Sequence, residues 1–165
     1  MIVTLIAAVS EDGFISRGKG VPWDLPDDRA HFRARTQGRW LLVGRHTYEE
    51  MTGWFRPGHK PLVLSRDPAF VPAIGSRVAS VAEALATVAA AGESELMVIG
   101  GGGVFSAAMP LATRLDLTRV HERLGDGVPF PRIESRRWHK VSSQRHPADA
   151  AHAFAFTFSI WERTV

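Results

Sequence analysis

The sequence predicts an α/β fold in which one mostly parallel, mixed central sheet carries flanking helices and closes with a C-terminal antiparallel strand. Three observations predict it. Apolar runs suited to strands alternate with helix-like stretches over the earlier part of the chain, and such alternation implies parallel strands joined by crossover helices. The last strand-like runs follow one another with no helical stretch between them, which suits antiparallel pairing. At 165 residues, 45% hydrophobic and 22% charged, the chain is long enough to bury one core and too short for two full domains, so residues 1–165 are expected to form a single domain.

The first strand is expected at 2–9, an apolar run. A helix at 27–36 follows Pro26, whose fixed φ and missing N–H suit a first helical turn. The apolar run 40–43 stops at Gly44 and leads to a short helix at 47–52, and 61–64 is a further strand. An alanine-rich helix is expected at 81–91, then a strand at 96–99 that feeds four glycines and a helix at 104–111. Strands at 115–120 and 154–161 close the chain, while 125–131 and 144–151 read as surface loops. No repeat, low-complexity tract or linker is apparent in the sequence.

The chain has no cysteine, which removes disulfides, thiol nucleophiles and thiolate metal sites together and is compatible with a reducing cytoplasm. The apolar start lacks a basic leader and a small-residue cleavage site, and no stretch approaches the roughly 20 apolar residues of a spanning helix. A cytoplasmic monomer with no membrane role is the expectation. The formal charge is +3 and the isoelectric point near 9.9, yet the basic residues are scattered. Such a field suits small polyanions, a phosphorylated dinucleotide or a carboxylate-tailed substrate, better than nucleic acid. The seven histidines show no H-E-x-x-H or H-x-x-x-H pair, so no metal site is expected.

Three segments carry chemistry. In Gly20-Val21-Pro22-Trp23-Asp24-Leu25-Pro26-Asp27-Asp28-Arg29-Ala30-His31-Phe32, two prolines stiffen a loop around a tryptophan and lead into a helix start bearing carboxylates. An acid beside Trp23 and Phe32 sits in apolar surroundings that disfavour its charge, which keeps it able to hold or pass a proton near neutral pH. By themselves such acids would read as partners of the helix macrodipole. Trp40-Leu41-Leu42-Val43-Gly44-Arg45-His46-Thr47 gathers a cation, an imidazole and a hydroxyl where a strand turns into a helix, which is anion-site chemistry. Leu96-Met97-Val98-Ile99-Gly100-Gly101-Gly102-Gly103-Val104-Phe105 repeats that plan with glycines that let a backbone approach a ligand, and its spacing is not the Rossmann fingerprint.

In this order the segments closely resemble dihydrofolate reductase. The resemblance runs over almost the whole chain, from Leu5-Ile6-Ala7-Ala8 through Leu62-Val63-Leu64-Ser65-Arg66 to Leu115-Asp116-Leu117-Thr118 and Phe130-Pro131. It implies a dihydrofolate reductase-like fold, NADPH as cofactor, reduction of 7,8-dihydrofolate to 5,6,7,8-tetrahydrofolate, and antifolate inhibitors as further ligands. Asp28 matches the family's acid, which hydrogen-bonds the pterin edge and promotes protonation of the ring nitrogen before hydride reaches the adjacent carbon. An imine becomes more electrophilic once its nitrogen is protonated, so the pairing of an acid with a nicotinamide is chemically coherent. Thr118 matches the threonine that bonds this acid, and Trp23 the tryptophan whose indole N–H holds an ordered water.

Ile6, Ala7, Phe32, Met51, Ile99 and Phe105 match positions lining the pterin and nicotinamide pocket, although each alone would read as plain core. On the cofactor side, Gly44, Arg45, His46 and Thr47 match the turn that receives phosphates, and Leu64, Ser65 and Arg66 the place where the 2′-phosphate is read. Two arginines there imply NADPH over NADH. Gly101 and Gly102 match the glycine pair at which the family has a cis peptide, with Gly103 and Val104 next to them. Ala8, Ile15, Gly20 and Val21 are the remaining expected cofactor contacts, and the stretch 14–20 matches the loop that closes over the nicotinamide.

The departures from the family are specific. Its tail-gripping arginine after Pro-Gly is replaced by His59, a poorer carboxylate clamp than a guanidinium. Arg29, Arg33 and Arg56 are the candidates to take its place, the first two because four-residue spacing puts them on one helix face. Gly103 and Ala79 stand where relatives carry polar or cationic side chains. His59 and the opening Ser10-Glu11-Asp12-Gly13 keep a second reading open, the NADPH-dependent reductase of a ribosylated aminopyrimidine in riboflavin biosynthesis. A non-catalytic NADPH-binding module is a third.

Overall fold

A computed structural model of the chain describes residues 1–18 and 20–165. The strands are β1 (Ile2–Ser10), β2 (Phe14–Ser16), β3 (Trp40–Gly44), β4 (Lys60–Leu64), β5 (Ser76–Val78), β6 (Glu95–Gly100), β7 (Arg114–Val120), β8 (Val128–Pro129), β9 (Trp138–His146) and β10 (Phe156–Arg163). The helices are α1 (Pro26–Thr36), α2 (Arg45–Glu50), α3 (Val81–Ala90) and α4 (Gly102–Ala108), the last followed by a 3₁₀ turn at Met109–Leu111.

Eight strands form one sheet in the order β5-β4-β3-β6-β1-β7-β10-β9. Its strands from β5 to β7 pair in parallel, and β10 then runs antiparallel to both β7 and β9. The central strands β1, β3, β4 and β6 are largely apolar because both faces are covered. Side chains alternate across the pleat, so Leu42 and Val98 enter the core cluster on one face, while Leu41, Val43 and Met97 enter the cluster on the other. A third cluster joins Trp23, Leu25, Val120, Leu124 and Phe156 where α1 begins.

Several elements depart from the sequence expectation. β9 is almost wholly exposed and held by β10 alone, so it lacks the apolar alternation that marks a strand. It extends into the stretch 144–151 expected to be loop, as far as His146. Likewise β8 lies within the expected loop 125–131 and pairs with β2. β5 has only three residues, too short for a pattern. α2 starts directly after Gly44, two residues before the expected 47–52, and α4 starts at Gly102 inside the glycine run.

Candidate active site

A cleft of about 1080 Å³ opens at the carboxyl ends of β1, β3, β4 and β6, the sheet edge at which α/β proteins bind ligands. A pocket for one drug-sized molecule spans about 300–1,000 Å³. The cleft lies at the upper end of that range, and its lining runs from Trp23 and Asp28 to Arg45 and Arg66.

Its one deeply set acid is Asp28. Pro26 opens α1, and Asp28 in the first turn points across the cleft to β7, where the Thr118 hydroxyl donates to Oδ1 at 2.6 Å. Burial pushes the Asp28 carboxyl above the usual carboxylate range, against the opposing pull of Thr118 and His31, while Asp116 pushes in the same direction as burial. Helix and strand periods make this a two-rung ladder. Asp116 stands two residues before Thr118 on the same face of β7, and His31 stands three residues after Asp28 on α1. The second rung joins His31 Nε2 to Asp116 Oδ1 at 2.8 Å, and Arg35 Nε donates to Asp116 Oδ2 at 2.9 Å. Asp116 is 1% exposed, and the His31 ring is stacked on Phe158 at 4.5 Å.

Around the acid the walls are apolar. Ile6, Ala7, Phe32, Met51, Ile99 and Phe105 all line the cleft, and Trp54, packed 5.4 Å from Phe32, joins them. Trp23 is buried and belongs to the same lining as Asp28, and its indole Nε1 has no hydrogen-bond partner among the described residues. A buried donor of this kind calls for a water or a ligand atom.

The other half of the cleft is bare backbone rimmed by polar side chains. A Cβ on Gly101 would lie 2.8 Å from Thr47 Oγ1 and one on Gly102 2.5 Å from Val128 Cγ1, whereas one on Gly103 would meet nothing. A side chain at either of the first two positions would have to displace Thr47 or Val128, and Gly103 leaves open space against the cleft. Arg45, His46, Thr47, Ser65 and Arg66 form the rim. Arg45 is engaged already: Nε donates to Glu49 at 2.7 Å, an Nη donates to Asp67 at 3.3 Å, and the guanidinium lies 4.2 Å from the Phe70 ring. The Glu49 hydrogen bond holds the Arg45 pKa above the ordinary arginine value. Arg66 is exposed and forms no ion pair among the described residues. A glycine wall, a hydroxyl and a free cation fit a phosphorylated dinucleotide.

Ala8, Ile15, Gly20, Val21, Gly44, Leu64 and Val104 also line the cleft, as do Arg29 and Arg33. Arg29 is paired with Asp24, and both side chains are exposed. Two expected residues are not in the lining. His59 is turned away, with Nδ1 accepting the Arg56 N–H at 2.8 Å and its ring stacked on Trp54 at 4.9 Å, and Arg56 is exposed outside the cleft. The cis peptide is Gly100–Gly101, one residue before the expected pair, and Gly101 is the N-cap of α4, which opens at Gly102. In the stretch 14–20, Ile15, Ser16, Gly18 and Gly20 contribute to the lining, and Lys19 lies outside the described residues. The sequence reading missed His31, Trp54 and Asp116. A carboxylate inside an apolar strand, and a histidine one helical turn after the acid, were the available signals.

Residues 2–163 match the family model described as dihydrofolate reductase. The dihydrofolate reductase type 3 of Salmonella typhimurium is 36% identical over 158 residues, covering 96% of each chain. The dihydrofolate reductase of Neisseria meningitidis serogroup A is 34% identical over 155 residues, 93% of this chain and 94% of that one. Among solved structures, the dihydrofolate reductase of Enterococcus faecalis, complexed with NADP(H) and the compound RAB-propyl, superposes with a TM-score of 0.90 at 29% identity, covering 99% of this chain and 97% of that one.

Proposed function

The chain belongs to the dihydrofolate reductase family, and from that premise we propose which of its groups carry the reaction. It reduces 7,8-dihydrofolate to 5,6,7,8-tetrahydrofolate with NADPH. The glycine-walled half of the cleft, with Thr47, Ser65 and Arg66 on its rim, would hold NADPH, which would supply the hydride for the pterin carbon next to the ring nitrogen to be protonated. Asp28 binds the pterin edge and promotes protonation of that nitrogen. The single observation that carries this role is the Asp28–Thr118 bond of 2.6 Å at the apolar end of the cleft. Thr118 fixes one carboxyl oxygen and leaves the other for the substrate. Burial supports the same role, because a carboxyl with a raised pKa keeps its proton closer to neutral pH.

The Trp23 indole N–H, buried and without a partner among the described residues, suits an ordered water near the pterin. Ile6, Ala7, Phe32, Met51, Ile99 and Phe105 exclude solvent around the rings, which strengthens each polar contact inside. The remaining elements of the proposal are a cytoplasmic monomer, antifolates as competing ligands, and no nucleic-acid partner. No helix among the described residues is long and apolar enough to cross a membrane.

Arg66 is the better candidate to read the 2′-phosphate, since Arg45 is committed to Glu49 and Asp67. Arg66→Ala is expected to raise KM for NADPH by about tenfold, the equivalent of one charge-assisted hydrogen bond, and to leave KM for NADH nearly unchanged. Steady-state titration of both cofactors checks this, and equal increases would place Arg66 elsewhere.

For the glutamate tail we propose Arg33, which lines the cleft and forms no ion pair among the described residues, ahead of Arg29, Arg56 and His59. The test measures NADPH oxidation with dihydrofolate, with a pterin lacking the glutamate, and with the ribosylated aminopyrimidine. Dihydrofolate is expected to be the best substrate. Arg33→Ala should weaken it by about tenfold and spare the truncated pterin. Preferential turnover of the aminopyrimidine would reject the folate reading.

A further inference from the structure

Helix α1, which carries Asp28, has no local cap. Leu25 stands at the N-cap position and offers no side-chain acceptor. Pro26 has no N–H, so the Asp27 amide is the first in the helix that needs a partner. That partner lies 125 residues away: His152 Nε2 accepts the Asp27 N–H at 3.1 Å.

The imidazole is built for this task. It is 3% exposed, and its ring lies 5.2 Å from that of Phe156 in the cluster that also holds Trp23 and Leu25. Its Nδ1 lies 2.8 Å from Asp149 Oδ1, which also accepts the His152 N–H at 2.8 Å and the Ala151 N–H at 2.9 Å. The side-chain bond from His152 holds the Asp149 carboxyl below its ordinary range. An ionised carboxylate only accepts, so Nδ1 carries the ring proton and Nε2 presents its lone pair to the helix. His146 stacks on Phe156 at 4.6 Å and sets its Nε2 3.1 Å from Asp27 Oδ2. Donor atoms of Asp27, His146 and His152 lie within 4.8 Å of one another. The Asp27 amide, however, occupies the His152 lone pair, so the cluster is closed as a cap and not open as a metal site.

We propose that His152 is a positioning residue for the reduction: by capping α1 from the β9–β10 connection it fixes the first helical turn and holds Asp28 against Thr118. The inference rests on Asp28 being the acid of the reaction. Asp28 is faced by Thr118 and Asp116 from β7 and by His31 from its own helix. A frayed first turn would admit water to this carboxyl and weaken the burial that favours its protonated form.

His152→Ala is expected to lower kcat at neutral pH about fivefold, the rate equivalent of one lost cap. KM for NADPH should stay unchanged, and the fall of kcat with rising pH should move to lower pH by about half a unit. His152→Gln, whose Oε1 accepts the same amide, should restore most of both. A lower Tm with kcat and pH midpoint unmoved overturns the proposal, as does a glutamine variant no better than alanine. In the wild-type protein the Asp27 amide is expected to exchange with solvent at least about tenfold more slowly than a free amide, and exchange at the free rate overturns the cap whether or not the alanine variant folds. Unchanged activity in Asp28→Asn would reject the acid instead, a failure that the amide measurement keeps separate.

Discussion

Asp28→Asn is expected to lower kcat at neutral pH by about 10²- to 10⁴-fold, with part of the loss returning as the pH falls. Asparagine keeps the shape and can still accept the Thr118 hydroxyl, so the pocket stays intact while its proton source is gone. Acid restores activity because substrate already protonated in solution needs no enzymatic acid. The same variant should be more stable than the parent at neutral pH. Burial raises the folded-state pKa of Asp28, so the native chain binds more protons than the unfolded chain between the two pKa values. Stability therefore falls as the pH rises through that window and stays lower above it. Removing the ionisable group removes that cost. Urea midpoints at acid and alkaline pH, measured beside the pH–rate profile, check both halves. A loss of activity independent of pH would remove the proton role, and full activity would remove Asp28 from the site.

The sequence made the ends of β3 and β6 readable because they are apolar on both faces and stop at glycine. Leu41-Leu42-Val43-Gly44 and Val98-Ile99-Gly100 could be nothing but buried strands feeding a turn. Asp28 was legible for a related reason: two prolines and a tryptophan leave an acid in the first turn in apolar surroundings. β9 was illegible because an edge strand with one partner and almost no buried side chain carries no alternation to read. The second ladder rung was illegible for another cause. Nothing local in Asp116 says that α1 will lay His31 and Arg35 across it, and the pairing exists only once helix and strand are docked. His59 erred in the opposite direction. Its position after Pro-Gly pointed to the tail, but its ring stacks on the indole of Trp54 and stays out of the cleft lining.

The second rung gives the largest expected effect on stability. Asp116→Asn removes a carboxylate that is 1% exposed and accepts from both His31 and Arg35. Breaking a buried ion pair by removing one partner costs about 3–5 kcal/mol, because the remaining charge loses its counterpart. Here the His31 and Arg35 side chains keep 24% and 29% of their exposure, so water recovers part of that loss. A cost of about 2–3 kcal/mol is expected, which for a chain of this size lowers Tm by about 5–10 °C. The same substitution reports on chemistry, because the Asp116 charge helps hold the Asp28 carboxyl above its ordinary range. Removing it should move the pH midpoint of kcat downward. Replacing His31 by glutamine, which takes away the opposing influence, should move it upward. Opposite shifts from two partners of one hydrogen bond cannot arise from general loosening of α1, which would move both variants the same way. Equal shifts, or a Tm within a degree of the parent for Asp116→Asn, would leave the rung without the role that its geometry gives it.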